Sequence, residues 1–212
     1  MERTAAVDRV VELLDTVERD RMPVPVREVW VTGDLALGVD PIDRLEVYLA
    51  KDVLIDGSED DELVERYGVR GIGSTVQAEW VREHLEFLEE NANGYAAPER
   101  CLASHLVGDD EPIHLEVCNA GFEDNVRQRL RGAKAREAYD EVIDPRGVCL
   151  WIDGIRSDDA IEKLREGSLP FPPLSTALES LGLGAEEAQR AAEAVHAWRE
   201  KTEGATVRGD VI

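Results

Sequence analysis

Glu46 and Glu116 each sit in a short run with strand-like alternation, Arg44 to Ala50 and Ile113 to Cys118. Side chains alternate across a strand, so Glu46 shares a face with Arg44 and Tyr48, and Glu116 with His114 and Cys118. Set side by side, the two runs point both carboxylates at one site. Hard oxygen ligands of this kind hold divalent cations that bridge phosphate oxygens. Upstream, Gly33 and Asp34 follow the run Val26 to Thr32, and Gly38, Asp40 and Pro41 complete the loop. A glycine there lets backbone approach a phosphate closely. Gly33, Asp34, Glu46 and Glu116 are the candidate ligand-binding residues, and no residue is assigned a catalytic role. The competing reading is an ordinary β-turn-β unit with Glu46 facing solvent.

A second constellation is cationic. Arg127, Arg131 and Lys134 fall at i, i+4 and i+7, one stripe of a helix, with Arg129 and Arg136 close by. Such a stripe docks RNA, a phosphate ligand or an acidic protein; the alternative is salt bridging to Glu123, Glu137, Asp140 or Glu141. No aromatic residue interleaves it for base stacking. A third feature, Gly68-Val69-Arg70-Gly71-Ile72-Gly73-Ser74-Thr75, reads as a flexible turn capped by Ser74 or as an anion cradle at a helix start. It is neither a Walker loop nor a complete G-x-G-x-x-G. The four histidines lack metal spacing, and Cys101, Cys118 and Cys149 lack a C-x-x-C pair, so they read as buried thiols in a reducing compartment.

The elements that must position these residues follow from periodicity. Val7, Val10, Val11, Leu14 and Val17 make one helical face, ended by Met22-Pro23-Val24-Pro25. Ser58 with Asp61 predicts a helix start carrying Leu63, Val64 and Tyr67. Ser74 with Gln77 predicts a long helix to about residues 91–94. Cys101 to Val107 and Ile113 to Cys118 read as a hairpin across Gly108-Asp109-Asp110-Glu111-Pro112. A polar helix over residues 123–141, bent at Gly132, a strand over Gly147 to Ile152, a helix capped by Ser157 and a final helix over residues 185–202 complete the pattern. The expectation is an α/β fold, with α+β as the alternative. It has a mixed sheet of about four or five short strands flanked by helices. Residues 1–167 would form the α/β domain and 168–212 a helical C-terminal extension.

Composition sets the class. The 212 residues carry 46 acids against 24 bases, a formal net charge of -22, and only four of the cations are lysines. Acids spread along every segment act as a solvation device that suits high salt, where screening is short-ranged. The charge argues against DNA, and no run is long and apolar enough for a membrane span, so a cytoplasmic protein is expected.

The segment Val29 to Leu49 resembles the opening of the minimal nucleotidyltransferase superfamily: a strand, Gly-Ser, a turn with a second Gly, then a strand bearing Asp-x-Asp, with a third acid from a later strand. The resemblance implies a nucleotide pocket at Gly33, Asp34, Glu46 and Glu116, and Mg²⁺ if the family's chemistry holds. Asp34 replaces the Ser and Arg44 the first acid, which implies a noncatalytic relative that keeps the pocket. An active metal-dependent enzyme would have to use Asp43, which lies on the opposite strand face from Glu46. Residues 22–41 with 45–49 also resemble an uncharacterised conserved family of halophilic archaea, which supports a high-salt cytoplasm and supplies no catalytic residue.

Overall fold

The computed structural model describes residues 1–55, 57–108, 110–201 and 206–209, with side chains up to Trp198 except at residue 141. Helix α1 (Arg3–Arg19) buries Ala6, Val7, Val10, Leu13, Leu14 and Val17 along one stripe. Each such Val or Leu contributes about 1.5–3 kcal/mol, which outweighs the side-chain cap of about 1 kcal/mol that Glu2 does not make. Strands β1 (Val26–Thr32) and β2 (Leu45–Lys51) are antiparallel, joined through a short helix α2 (Gly33–Ala36). After α3 (Asp61–Tyr67), α4 (Ala78–Glu83) and α5 (Pro98–Leu106), strand β3 (Ile113–Cys118) returns parallel to β2. Helix α6 (Phe122–Arg136) and a 3-10 turn (Tyr139–Glu141) lead to β4 (Val148–Ile152) and the two-residue β5 (Ile155–Arg156). Helices α7 (Asp158–Glu166), α8 (Leu174–Ser180) and α9 (Ala185–Lys201) precede β6 (Thr206–Gly209), whose backbone pairs parallel to β3.

The result is an α/β fold around one mixed sheet in the order β5-β4-β1-β2-β3-β6. One sheet face, with Val29, Val31, Val47, Leu49, Leu115 and Val117, packs on α1, α5 and α7. The other carries Tyr48, Ala50 and Cys118 against Phe122 and Val126 of α6. Farther along α6, Leu130 and Ala133 join Leu174, Leu178, Ala188, Ala191 and Val195 in a separate apolar cluster. A fourth cluster gathers Leu63, Ile72, Val76, Trp80, Val81, Ala96 and Cys101 beside the sheet.

Four sequence expectations are corrected. Cys101 to Val107 is not a strand: Pro98 occupies the first turn of α5, and Cys101, Leu102 and Leu106 bury one helical face, so the hairpin does not form. The helix expected from Ser74 begins at Ala78, because the Ser74 and Thr75 amides both donate to the Gly71 carbonyl and close a turn around Gly71 (φ +83°) and Gly73 (φ +96°). The cap of α3 is Asp60, whose carboxylate accepts from the Leu63 amide at 3.1 Å, not Ser58. Helix α6 passes through Gly132 unbroken and ends at Glu137.

Candidate functional site

The strand register brings the candidate carboxylates to one side of the sheet. Register places Thr32 opposite Glu46, Glu46 opposite His114, and Tyr48 opposite Glu116, so all five share the α6 side of the sheet. Glu46 and Glu116 are offset by two residues on neighbouring strands, which sets their Cα atoms about 8 Å apart. Both line a cavity of about 40 Å³ roofed by Phe122, by Val142 to Asp144, and by Val195 and Trp198 of α9. The Trp198 ring stands edge-on to His114 at 5.9 Å.

Each carboxylate in that cavity is engaged. Glu46 accepts from the Arg44 guanidinium at 3.3 Å and from the Thr32 hydroxyl at 3.4 Å. Glu116 pairs with Arg129, whose Nε donates to Asn125 at 3.3 Å. Asn125 donates to the Tyr48 hydroxyl at 2.9 Å, and that hydroxyl donates to the Ala120 carbonyl at 2.7 Å. Burial, then the neighbouring Cys118, drives the Tyr48 pKa upward and keeps the phenol neutral. Asp144 and Arg146 form a buried two-point pair at 2.9 and 2.7 Å. Among the described residues no group of three or more His, Cys, Asp or Glu is placed to hold a metal ion.

Gly33 and Asp34 follow Thr32 directly but do not line the cavity. Their loop is engaged elsewhere: the Arg3 guanidinium donates to the Gly38 carbonyl, and the Arg3 amide donates to Asp40 at 3.0 Å. The glycine-rich turn at 68–75 likewise spends its amides internally. Gly71 donates to the Glu59 carboxylate and Gly73 to the Val76 carbonyl at 2.7 Å, which leaves no cradle of outward N–H groups.

The cationic stripe forms a second site. Arg127, Arg131 and Lys134 line a groove of about 370 Å³ between α6 and the α8–α9 connection, Ser180 to Leu183, with Leu130 at its floor. Arg127 pairs with Glu123 at 3.3 Å and Asp124 at 3.6 Å, and Lys134 with Glu187 at 3.2 Å. The sequence alternative of salt bridging therefore holds at Arg127 with Glu123, whereas Lys134 pairs with Glu187 of α9, a partner the sequence reading did not name. Arg131, at the centre, has no ion-pair partner among the described residues.

Sequence reasoning missed Arg129 as the partner of Glu116, and missed the Asp144–Arg146 pair. The available signal was the i, i+4 spacing of Asn125 and Arg129, which sets them on the face of α6 opposite Arg127 and Arg131.

A family model, Family of unknown function (DUF7095), matches residues 2–212. The chain belongs to that family. No curated protein and no solved structure matches this DUF7095 member. Among its described residues no helix is long and apolar enough to cross a membrane.

Proposed function

We propose that this protein is a noncatalytic, salt-adapted cytosolic binding protein that takes a phosphate-bearing ligand in the α6 groove. One observation carries the reading: three cations converge on a groove of about 370 Å³ that no described carboxylate lines, in a chain with 46 acidic residues. Guanidinium and ammonium donors in that arrangement suit phosphoryl oxygens. The sheet cavity supports the noncatalytic part. Its acids are held by arginines, and about 40 Å³ accommodates a few waters, not a nucleotide.

A second reading rests on the meeting of Glu46 and Glu116 behind the β1–Gly33–β2 order. In that reading the nucleotidyltransferase-like layout takes a nucleotide with Mg²⁺ on the sheet face once Arg44, Arg129 and α9 yield. Calorimetry in multimolar KCl with inorganic phosphate and ATP, with and without Mg²⁺, separates the two. The groove reading expects a loss of about tenfold or more in Arg127→Gln/Arg131→Gln/Lys134→Gln and none in Glu46→Gln/Glu116→Gln. Mg²⁺-dependent binding lost only in the carboxylate variant moves the site to the sheet. No binding by folded parent protein overturns both. A protein or RNA partner captured by the parent and lost by the triple variant would instead mark an interaction module.

A further inference from the structure

We infer that the occupant of the α6 groove is a compact phosphate ester with an aliphatic body and not a nucleic acid; this deepens the groove reading proposed above and rests on it. The seven helical steps from Arg127 to Lys134 span about 10.5 Å along α6. Both ends of that span are fenced by acids. Glu123 and Asp124 hold Arg127 at one end, and Glu187 holds Lys134 at the other. A polyanion leaving the groove in either direction meets carboxylates, and a net charge of -22 repels whatever part of it extends further. Nucleic-acid affinity is built by neutralising many phosphates. Here two of the three cations are already partnered, and Arg131 at the centre is the one without an ion-pair partner among the described residues.

The walls define the rest of the ligand. Leu130, Leu181 and Leu183 supply apolar surface beside the cations, and among the described residues no aromatic ring lines the groove to stack a base. The Ser180 hydroxyl donates to the Thr176 carbonyl at 2.9 Å, so its oxygen is left to accept from a ligand hydroxyl. A volume of about 370 Å³ falls at the small end of the roughly 300–1,000 Å³ of small-molecule pockets. A phosphoryl group on Arg131 with a short alkyl chain over the leucines satisfies the cationic and apolar surfaces.

The test compares inorganic phosphate, butyl phosphate and a short oligouridylate as calorimetric probes of the parent chain, Arg131→Gln and Arg131→Lys in multimolar KCl. Butyl phosphate should bind about threefold or more tighter than inorganic phosphate, lose about tenfold or more in Arg131→Gln, and stay within about threefold in Arg131→Lys; oligouridylate should not saturate. Arg131 is exposed, so its replacement by Gln leaves the core untouched, and a thermal melt of that variant matching the parent's checks it. If oligouridylate binds the parent most tightly, or the two phosphates bind alike, and Arg131→Gln abolishes it, the aliphatic ester is overturned while the groove reading stands. If no probe binds, or Arg131→Gln binds like the parent, both fall. In Glu123→Gln/Asp124→Asn one fence is removed, and oligouridylate binding should rise; no change would overturn the fence argument.

Discussion

At the residue scale the buried titratable groups separate by the partner each has found. The ring of His105 is buried, and the Trp80 indole N–H donates to its Nδ1 at 3.1 Å. Nδ1 is thus the unprotonated nitrogen, and Nε2 carries the proton toward Asp20, 3.8 Å away. Burial, then the neighbouring His84, depresses the His105 pKa, while Asp20 and Glu86 act in the opposite direction. Protonation would also place a second N–H against the indole donor. The folded pKa lies below the ordinary value near 6.5, so the unfolded chain takes up this proton first. The stabilisation is whole above about pH 6.5 and is lost as pH falls toward the folded value. Thermal melts from pH 7.5 to 5 should show the parent weakening below about pH 6.5, while His105→Gln, which keeps an acceptor and cannot titrate, shows a shallower loss. Parallel pH profiles would show that His105 does not couple to stability. The carboxylates tell a related story about legibility. Alternation put Glu46 with Tyr48 and Glu116 with Cys118 on their own strand faces, and the β2–β3 register makes those two faces coincide. Their arginine partners were hidden for different reasons: Arg44 was read as a missing acid, and Arg129 reaches Glu116 from a helix no local pattern ties to β3.

At the element scale the sequence was readable where one period dominates. The apolar stripe of α1, the alternation of β1 and β2, and Ser157 before the first-turn acids Asp158 and Asp159 of α7 all led to elements at nearly the observed positions, although the Ser157 side chain makes no cap hydrogen bond. The failures occur where a short apolar run fits either period. Cys101 to Val107 alternates poorly as a strand, and Pro98 three residues earlier was the helix-start signal. Taking that run as a strand also hid the topology. A hairpin would have made the two runs antiparallel neighbours, whereas a long crossover through α3, α4 and α5 delivers β3 parallel to β2 and so brings Glu116 beside Glu46. The end of α6 was also missed, since the helical pattern continues in composition while Glu137 turns to φ 55°, ψ 30°. A left-handed conformation costs a non-glycine residue about 1 kcal/mol or more, and Glu137 is exposed. Glu137→Gly should therefore stabilise the protein by up to about 1 kcal/mol, offset in part by glycine's greater unfolded-state entropy. Denaturant titration measures it; a midpoint lower than the parent's would show that the Glu137 side chain supports the helix end by more than its backbone strain costs.

At the scale of the whole molecule the charge of -22 has to be reconciled with a sheet covered on both faces. Several arginines are spent on local pairs, among them Arg9 with Glu111 at 2.7 Å, Arg156 with Asp15 at 2.6 Å and Arg165 with Asp8 at 2.9 Å. The acids in excess of the cations remain to repel one another. Pairs as exposed as Arg165–Asp8 contribute about 0–1 kcal/mol each, too little to offset repulsion summed over the surface. At about 0.1 M salt the Debye length is about 10 Å, long enough for neighbouring acids to act on one another; at about 1 M it is about 3 Å, and that repulsion is screened. Melting temperature should therefore climb with KCl from about 0.1 M to multimolar, and a rise of about 10 °C corresponds to about 3 kcal/mol or more for a chain of this length. The shape of the curve identifies the cause. Screening alone levels off once the Debye length falls below the spacing of surface acids, near about 1 M, whereas a surface that gains from bound, hydrated cations continues to gain beyond it. A melting temperature that is flat or falls across the series would remove salt adaptation from the reading and leave the charge as ordinary solubilisation.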